Sequence, residues 1–390
     1  MARPRIATRM AGIAPFHVME LLARAQALEA AGQDIVHMEV GEPDFATAAP
    51  IIEAGRRALA AGCTAYTAAK GLAALRTAIS DDYARRYGVG VDPDCILITP
   101  GASGALLLAT GVLLDPGERC LLADPSYPCN RHFVRFCEAE AVGIPVGADT
   151  RFQLTPELVA AHWDARTRAV MLASPSNPTG TCVPPAALAG IHAEVRAQGG
   201  ALIVDEIYQG LVYDGEPATA LAGGADDVFV INSFSKYFGM TGWRLGWMVA
   251  PESFVPAIER LAQNIFLAAS TPAQHAALAA FTSATREILE ARRRAFRARR
   301  DYLVPALAAL GFEIAVMPEG AFYVYACCER FGRDSHTLTN DLLEHAGVAI
   351  TPGIDFGEHR AGQHVRFAYT TSIDNLREGV RRLRGFLGDR

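Results

Sequence analysis

The chain contains very little lysine. Of its 36 lysine and arginine residues only two, Lys70 and Lys236, are lysines, which leaves thirty-four arginines. Arginine keeps its proton in proteins and cannot attack a carbonyl carbon, whereas lysine can do so once burial or a neighbouring charge lowers its pKa. A lysine kept in such an arginine-rich chain is therefore a candidate for covalent chemistry. The alternative is a chance lysine on a solvated loop.

The sequence also lacks an excess of positive charge and a long apolar run. The formal net charge is −6, which gives no electrostatic reason to bind nucleic acid or an anionic membrane. The longest apolar run, 105–114, is interrupted by Thr110 and Gly111, and it predicts a buried helix rather than a membrane span. No apolar stretch or cleavage site follows the basic N-terminus, so we expect no secretory signal.

Neither the cysteines nor the histidines form a metal-binding pattern. None of the eight cysteines belongs to a CxxC pair, and the ten histidines show no HxxxH or HxH spacing. Scattered cysteines in a chain of 390 residues indicate small buried side chains in a reducing compartment. We therefore expect a cytoplasmic protein without a metal ion.

Short apolar strands alternate with longer helical segments, which predicts an α/β fold with a mostly parallel sheet. Helices are expected at 17–31 and about 283–310, and the arginines of the second helix are expected on a solvated face. The predicted strands are 35–40, 96–99, 120–124, 169–173, 202–205, 229–232, 245–249, 313–317, 321–326 and 364–369. We expect a large domain at 50–285 and a small domain formed by 286–390, which the N-terminal segment 1–49 joins.

Polar residues follow several of these strands, where open α/β sheets build ligand clefts. Lys236 lies in a segment rich in hydroxyls and glycines, eight residues before Arg244. The hypothesis is a Schiff-base lysine that carries pyridoxal phosphate (PLP), and this segment alone supports it no better than a chance lysine on a loop. Asp205 ends a buried strand, although a helix-capping role would also explain it. The turn 100–104 has free amides that suit a phosphate, and Arg366 is a lone cation in an apolar strand that needs a partner.

The ordered set of these segments resembles the class I and II aminotransferases, which are fold-type I PLP enzymes. The resemblance covers about 12–385, and the GEPDF segment at 41–45 is most similar to the bacterial aspartate-aminotransferase-like subgroup. It rests on Asn177, Asp205, Tyr208, Lys236, Arg244 and Arg366 in this order. The expected reaction moves an amino group from an amino acid to a 2-oxo acid by a ping-pong mechanism.

The resemblance implies a role for each cofactor-binding residue. Lys236 would form the Schiff base and act as the base, Asp205 would pair with the pyridine nitrogen, and Tyr208 would bind the phenolic oxygen. The phosphate would be held by one group of residues, namely Gly101, Ala102, Ser103, Ser233, Ser235 and Arg244. Tyr127 would stack on the ring, although some relatives carry Trp at this position.

The resemblance also implies substrate contacts and a partner subunit. Arg366 would bind the substrate α-carboxylate with help from Gly41, and Asn177 would contact both substrate and cofactor. Tyr66 matches a tyrosine that reaches the phosphate of the neighbouring subunit, so a homodimer with shared active sites is expected. Lys70 lies on the same loop and is expected at the surface.

Three questions stay open at this point. Ser103 stands where some relatives that use acidic substrates carry lysine, so we expect a neutral amino acid, with 265–267 and Phe45 as a pocket for its side chain. Lys70 or Arg9 is an alternative source of a second cation. A C–S β-lyase of the same fold would use nearly the same residues. A ligand-sensing regulator domain is an alternative of another class, which would carry an added helix-turn-helix region.

Overall fold

The computed structural model describes residues 4–224 and 226–388. Twelve helices are observed in this part of the chain: α1 His17–Ala30, α2 Ala49–Ala60, α3 Ala73–Tyr87, α4 Gly101–Leu113, α5 Pro128–Phe136, α6 Pro156–His162, α7 Pro185–Ala197, α8 Val255–Ile265, α9 Thr271–Leu278, α10 Ser283–Leu310, α11 Ser335–Asp341 and α12 Ile373–Gly388. Leu342–Ala346 adds a π-helical turn after α11. Within these residues no helix is both long and apolar enough to cross a bilayer.

Twelve strands are observed in the same residues: β1 Val36–His37, β2 Ile96–Thr99, β3 Arg119–Asp124, β4 Glu140–Pro145, β5 Thr167–Ala173, β6 Ala201–Asp205, β7 Val228–Ser233, β8 Gly246–Val249, β9 Tyr323–Cys327, β10 Val348–Ala349, β11 Thr351–Pro352 and β12 His364–Ala368. Seven of them form one sheet in the order β2-β8-β7-β6-β5-β3-β4. Only β8 in this sheet pairs antiparallel to its neighbours. The predicted α/β fold with a mostly parallel sheet is confirmed.

The central sheet is covered on both faces, which explains why its strands read as continuous apolar runs. Along β6, Leu202 and Val204 belong to the core on one face, whereas Ala201 and Ile203 belong to the core on the other. The parallel strands all point the same way, so the ends of β2, β3, β5, β6 and β7 meet at one edge. The loops after these ends carry the polar residues of the site.

The second region of sheet is small and antiparallel. β9, β12 and β11 form three strands in the order β11-β12-β9, and β1 pairs in parallel with β10. The N-terminal segment therefore lies against the C-terminal part of the chain. The domain boundaries after residues 49 and 285 stay predictions.

Three sequence expectations about this region are wrong in detail. No strand forms at 313–317, where Glu313 makes only a single bridge to Cys327. The residues after Glu313 leave the sheet, and the amide of Glu319 donates to the carbonyl of Gly180 instead. The strand expected at 35–40 is limited to Val36–His37. The amide of Met38 donates to Ala349 of β10, whereas its carbonyl accepts from Ala368 of β12, so the pairing with β10 does not continue. The strand expected at 321–326 starts at Tyr323.

The arginines of α10 are not all solvated, which corrects the expectation of a solvated face. Arg299 and Arg300 are buried at 7% and 3% exposure. Arg299 donates two hydrogen bonds of 2.8 Å to the Asp44 carboxylate, and Arg300 pairs with Asp214 and donates to the carbonyl of Pro318 at 2.9 Å. Buried charges need such partners, which no periodicity in the helix reveals.

Candidate active site

A cavity of about 420 Å³ opens at the carboxyl edge of the central sheet. Most of the predicted site residues line it, namely Gly41, Ala102, Ser103, Tyr127, Asn177, Asp205, Tyr208, Ser233, Ser235, Lys236, Arg244 and Arg366. Gly101 lies just behind this wall, against Arg244. Tyr66 does not line the cavity of its own chain, and 82% of it is exposed.

Lys236 lies just after the end of β7, and its amine is held inside the cavity. Its Nζ donates a 2.7 Å hydrogen bond to the carbonyl oxygen of Gly41. Burial lowers the pKa of Lys236 to about 8, the Glu42 carboxylate opposes this shift, and Arg366 adds to it. A lysine with such a pKa has an appreciable neutral fraction near neutral pH, and the neutral amine is the form that attacks carbonyls.

Asp205 ends β6 and faces the same cavity. One carboxylate oxygen accepts a 3.0 Å hydrogen bond from the amide of Ile207, and the residue is 5% exposed. Burial raises the pKa of Asp205 to about 6, whereas the Ile207 amide and the charge of Lys236 oppose this shift. The carboxylate can therefore still hold a negative charge near neutral pH, and it can pair with a protonated ring nitrogen.

The first turn of α4 lies against Arg244, and together they could hold an anion. The first amides of a helix lack intrahelical partners and are directed at anions. Gly101 has a φ of +70°, and a Cβ placed there would lie 2.6 Å from Nη2 of Arg244, so the guanidinium fills the space that a side chain would occupy. Arg244 itself adopts a left-handed φ of +50°. Nearby, the hydroxyls of Ser233 and Ser235 lie 3.0 Å apart.

Arg366 is buried in β12 and has the partners that its charge requires. Its Nη1 donates to Oδ1 of Asn177 at 2.9 Å, and its Nη2 donates to the carbonyl of Glu39 and to Oγ1 of Thr351. All three partner atoms are neutral, so the positive charge remains available to a substrate carboxylate. Asn177, which follows β5, thereby links the cation to the cavity wall.

Some residues that the sequence suggested for the substrate pocket lie outside the cavity. Phe45 packs against Phe296 of α10 with ring centroids 5.4 Å apart, so it does not line the cavity, and Ile265 and Leu267 are about half exposed. The pocket expected from these residues is therefore not formed within one chain. Lys70 is ion-paired with Asp94 at 3.0 Å and lies outside the cavity.

Tyr323 is a cavity residue that the sequence reasoning missed. It begins β9, is 2% exposed, and its hydroxyl lies 2.9 Å from that of Tyr208. The only sequence signal was an aromatic residue within the predicted strand 321–326, which ordinary core packing explains equally well. Phe16, Val18 and Met19 were also missed, because apolar residues at the start of a predicted helix indicate nothing beyond core packing.

These residues fit a cofactor that has an aldehyde, a ring nitrogen and a phosphate. Lys236 supplies the amine, Asp205 the carboxylate, and the α4 turn with Arg244 the anion site, all around one cavity. Such a combination defines the site of a PLP-dependent enzyme of fold type I. When bound, PLP supplies an electron sink that stabilises negative charge on the substrate α-carbon.

Comparisons with known proteins identify the family. Residues 33–383 match the model of aminotransferase class I and II. The chain is 39% identical over 384 residues to a valine–pyruvate aminotransferase from Mycobacterium tuberculosis, covering 98% of both chains. It is 35% identical to an aspartate/prephenate aminotransferase from Thermus thermophilus, covering 98% of this chain and 99% of the other.

A solved structure shows the same fold. The crystal structure of an aminotransferase from Mycobacterium tuberculosis matches with a TM-score of 0.96 at 38% identity and covers 100% of both chains. The chain belongs to the class I and II aminotransferases. It is a PLP-dependent transaminase that moves an amino group between an amino acid and a 2-oxo acid.

Proposed function

We propose that this transaminase uses a neutral amino acid as its amino donor. The observation that carries the proposal is the set of cations around the cavity. Among the described residues that line it, the only lysine or arginine side chains are Lys236, Arg244 and Arg366. Lys236 and Arg244 are assigned to the cofactor, and Arg366 to the α-carboxylate. A distal carboxylate would find no fourth cation and would be desolvated without a partner.

The apolar part of the cavity supports the same proposal. It is lined by the side chains of Phe16, Val18, Met19, Leu106 and Ile207. These residues suit an uncharged side chain, and contact with each apolar group excludes water from the substrate. The name of the M. tuberculosis relative, a valine–pyruvate aminotransferase, agrees with a neutral donor, whereas the T. thermophilus name includes aspartate.

The positions of the polar residues around the cavity support the roles that we propose for them. The Nζ of Lys236 accepts and returns the proton of the substrate α-carbon, for which a pKa of about 8 is suitable. Asp205 keeps the ring nitrogen protonated, Tyr208 donates to the phenolic oxygen, and Tyr127 packs on the ring. Arg366 orients the substrate through its α-carboxylate.

The phosphate is assigned to the α4 turn and the residues around it. The first amides of α4, at Gly101, Ala102 and Ser103, would donate to the phosphate, and the Arg244 guanidinium would supply its positive charge. The hydroxyls of Ser233 and Ser235 complete the site from the end of β7. Asn177 and Gly41 border the substrate side.

We also propose a homodimer with shared active sites. Tyr66 is 82% exposed, far more than is usual for a tyrosine, and Ile52, Leu59, Ile265 and Leu267 are exposed apolar residues of the same chain. A partner subunit that covers these residues would remove them from water, and Tyr66 would reach the partner's phosphate site. Sedimentation velocity tests this proposal, because a fully active monomer would contradict it.

The proposed location is the cytoplasm. All eight cysteines are free thiols, including the neighbours Cys327 and Cys328. This state agrees with a reducing compartment. Fractionation of the producing cells, followed by immunodetection of the chain, tests the location directly.

The donor preference is tested by measuring kcat/KM for a panel of donors. Alanine, valine, leucine, methionine and phenylalanine should exceed aspartate and glutamate by about tenfold or more, equivalent to about 1.4 kcal/mol in transition-state binding. An acidic donor that is preferred over every neutral one would contradict the proposal. Pyruvate released from cystathionine without an added 2-oxo acid would instead indicate C–S lyase activity.

A further inference from the structure

Tyr323 contacts three of the residues to which the proposed function gives a role. Its hydroxyl lies 2.9 Å from the hydroxyl of Tyr208. Its ring centroid lies 4.3 Å from the guanidinium carbon of Arg366. A Cβ placed on Gly41 would lie 1.8 Å from the Tyr323 hydroxyl oxygen, so only glycine at position 41 admits the phenol.

We propose that Tyr323 is a positioning residue, which sets the direction of the Tyr208 hydroxyl and holds the plane of the Arg366 guanidinium. The proposal rests on the roles given above to Tyr208 and Arg366. It adds a residue that connects the cofactor side of the cavity with the substrate side.

The direction of the Tyr208 proton follows from counting donors. Each phenol has one proton, and a Tyr208 that donated to Tyr323 would have none for a ligand. Among the described residues the Tyr323 hydroxyl has no hydrogen-bond partner except Tyr208. If Tyr323 donates its proton to the Tyr208 oxygen, the Tyr208 proton is directed into the cavity. Burial raises the pKa of both phenols, so both remain protonated at neutral pH.

A phenol that accepts a hydrogen bond is a stronger donor, because the accepted bond polarises its own O–H. Tyr323 therefore strengthens the hydrogen bond that Tyr208 donates to the phenolic oxygen of the cofactor. The positive charge of Arg366 over the Tyr323 ring acts in the same direction, since a cation makes the phenol more acidic.

The same ring helps to fix Arg366. The guanidinium carbon lies 4.3 Å from the ring centroid of Tyr323 and 4.8 Å from that of Phe356, and Nη1 donates a hydrogen bond to Asn177. Packing against two aromatic rings restricts the rotation of a guanidinium, and a guanidinium of fixed orientation presents the same donors to every substrate carboxylate. Tyr323 thus acts on substrate binding through its ring and on the cofactor through its hydroxyl.

Two variants separate these effects. Tyr323→Phe removes the hydroxyl and keeps the ring, whereas Tyr323→Leu removes both. The matched control is Tyr325→Phe on the same strand, because the Tyr325 hydroxyl is buried and has no hydrogen-bond partner among the described residues. The first readout is the pH at which the absorbance of the cofactor in the purified holoenzyme changes. The second is the separate determination of kcat and KM for the amino donor.

Tyr323→Phe should raise the absorbance midpoint by about half a pH unit or more, the size of one neutral hydrogen bond, and should leave KM within about twofold. Tyr323→Leu should show the same shift and a KM that is roughly fivefold to thirtyfold higher, the size of a cation–π contact. Tyr325→Phe should match the wild type in both readouts. A wild-type midpoint in Tyr323→Phe would overturn the hydroxyl role, and a wild-type KM in Tyr323→Leu would overturn the ring role.

A double-mutant cycle makes the first readout specific. In a Tyr208→Phe background no Tyr208 proton remains to be directed, so adding Tyr323→Phe should give no further shift of the midpoint. A full shift in that background, or an equal shift in Tyr325→Phe, would show that Tyr323 does not act through the Tyr208 hydroxyl, and it would contradict the proposal. Measurements on the wild type distinguish a failure of the proposed function from a failure of this inference. If the proposed function is wrong, the wild type itself will lack the donor preference or the pH-dependent absorbance.

Discussion

Lysine at position 236 should make the protein without its cofactor less stable, and its replacement should make that apoprotein more stable. Burial lowers the pKa of Lys236 from 10.5 to about 8, so the folded state disfavours the charged amine. A difference of 2.5 units corresponds to about 3 kcal/mol at neutral pH. Lys236→Met removes this cost together with the hydrogen bond to Gly41, which contributes about 1 kcal/mol. The expected net gain is about 2 kcal/mol.

The pH dependence gives the sign of the effect. Between the folded pKa and the unfolded pKa the unfolded chain binds more protons, so the stability contributed by Lys236 rises as the pH rises through about 8 towards 10.5. The advantage of Lys236→Met over the wild type should therefore shrink by about 2 kcal/mol between pH 7 and about pH 9.5. Urea unfolding of the two apoproteins, at equal protein concentration and at both pH values, measures this difference.

Lys70→Met is the matched control, since it changes the only other lysine of the chain. Lys70 makes one ion pair with Asp94, whose side chain is 75% exposed, so its loss should change stability by less than about 1 kcal/mol. An apoprotein that Lys236→Met destabilises equally at both pH values would refute the reasoning, because the buried amine would then carry no cost.

Three further predictions concern the charged groups of Asp205, Arg299 and His37. Asp205→Asn should retain cofactor absorbance but lose turnover about a hundredfold or more, and near-normal turnover would exclude its proposed role. Arg299→Met should lower the free energy of unfolding by about 2 kcal/mol, because it leaves Asp44 without its buried partner. The control is Arg297→Met: the Arg297 side chain is half exposed, so its loss should lower the free energy of unfolding by less than about 0.5 kcal/mol. The hydrogen bond to Glu39 raises the pKa of His37 to about 9. Protonated His37 therefore stabilises the folded state fully below about pH 6.5, and this contribution is lost as the pH rises through about 9. A difference in thermal midpoint between His37→Gln and the wild type that is equal at pH 6 and about pH 9.5 would contradict this.

The sequence predicted the parts of the fold that local pattern determines. The strand at 96–99 and the helix at 283–310 have the expected bounds, because a buried apolar run and a heptad-spaced stripe each specify one conformation. Lys236 and the strand-end residues could be found since parallel strands bring their carboxyl ends together.

Contacts between distant segments could not be predicted. The partners of Arg299 and Arg300 are Asp44 and Asp214, which lie 255 and 86 residues away. Nothing in the pattern of α10 distinguishes a buried arginine from a solvated one when its partner is on another element. Tyr323 escaped prediction for the same reason, because its role depends on a contact with Tyr208, which lies in the loop after β6 and 115 residues away in the chain.

The most direct test of the account is to find which lysine carries the cofactor. The purified holoenzyme is reduced with borohydride and digested, and the modified peptide is sequenced by mass spectrometry. The label is expected on Lys236, at the end of β7 beside Gly41. Because the chain has only one other lysine, the outcome is binary. A label on Lys70, or an unmodified Lys236 peptide in active enzyme, would contradict the central claim.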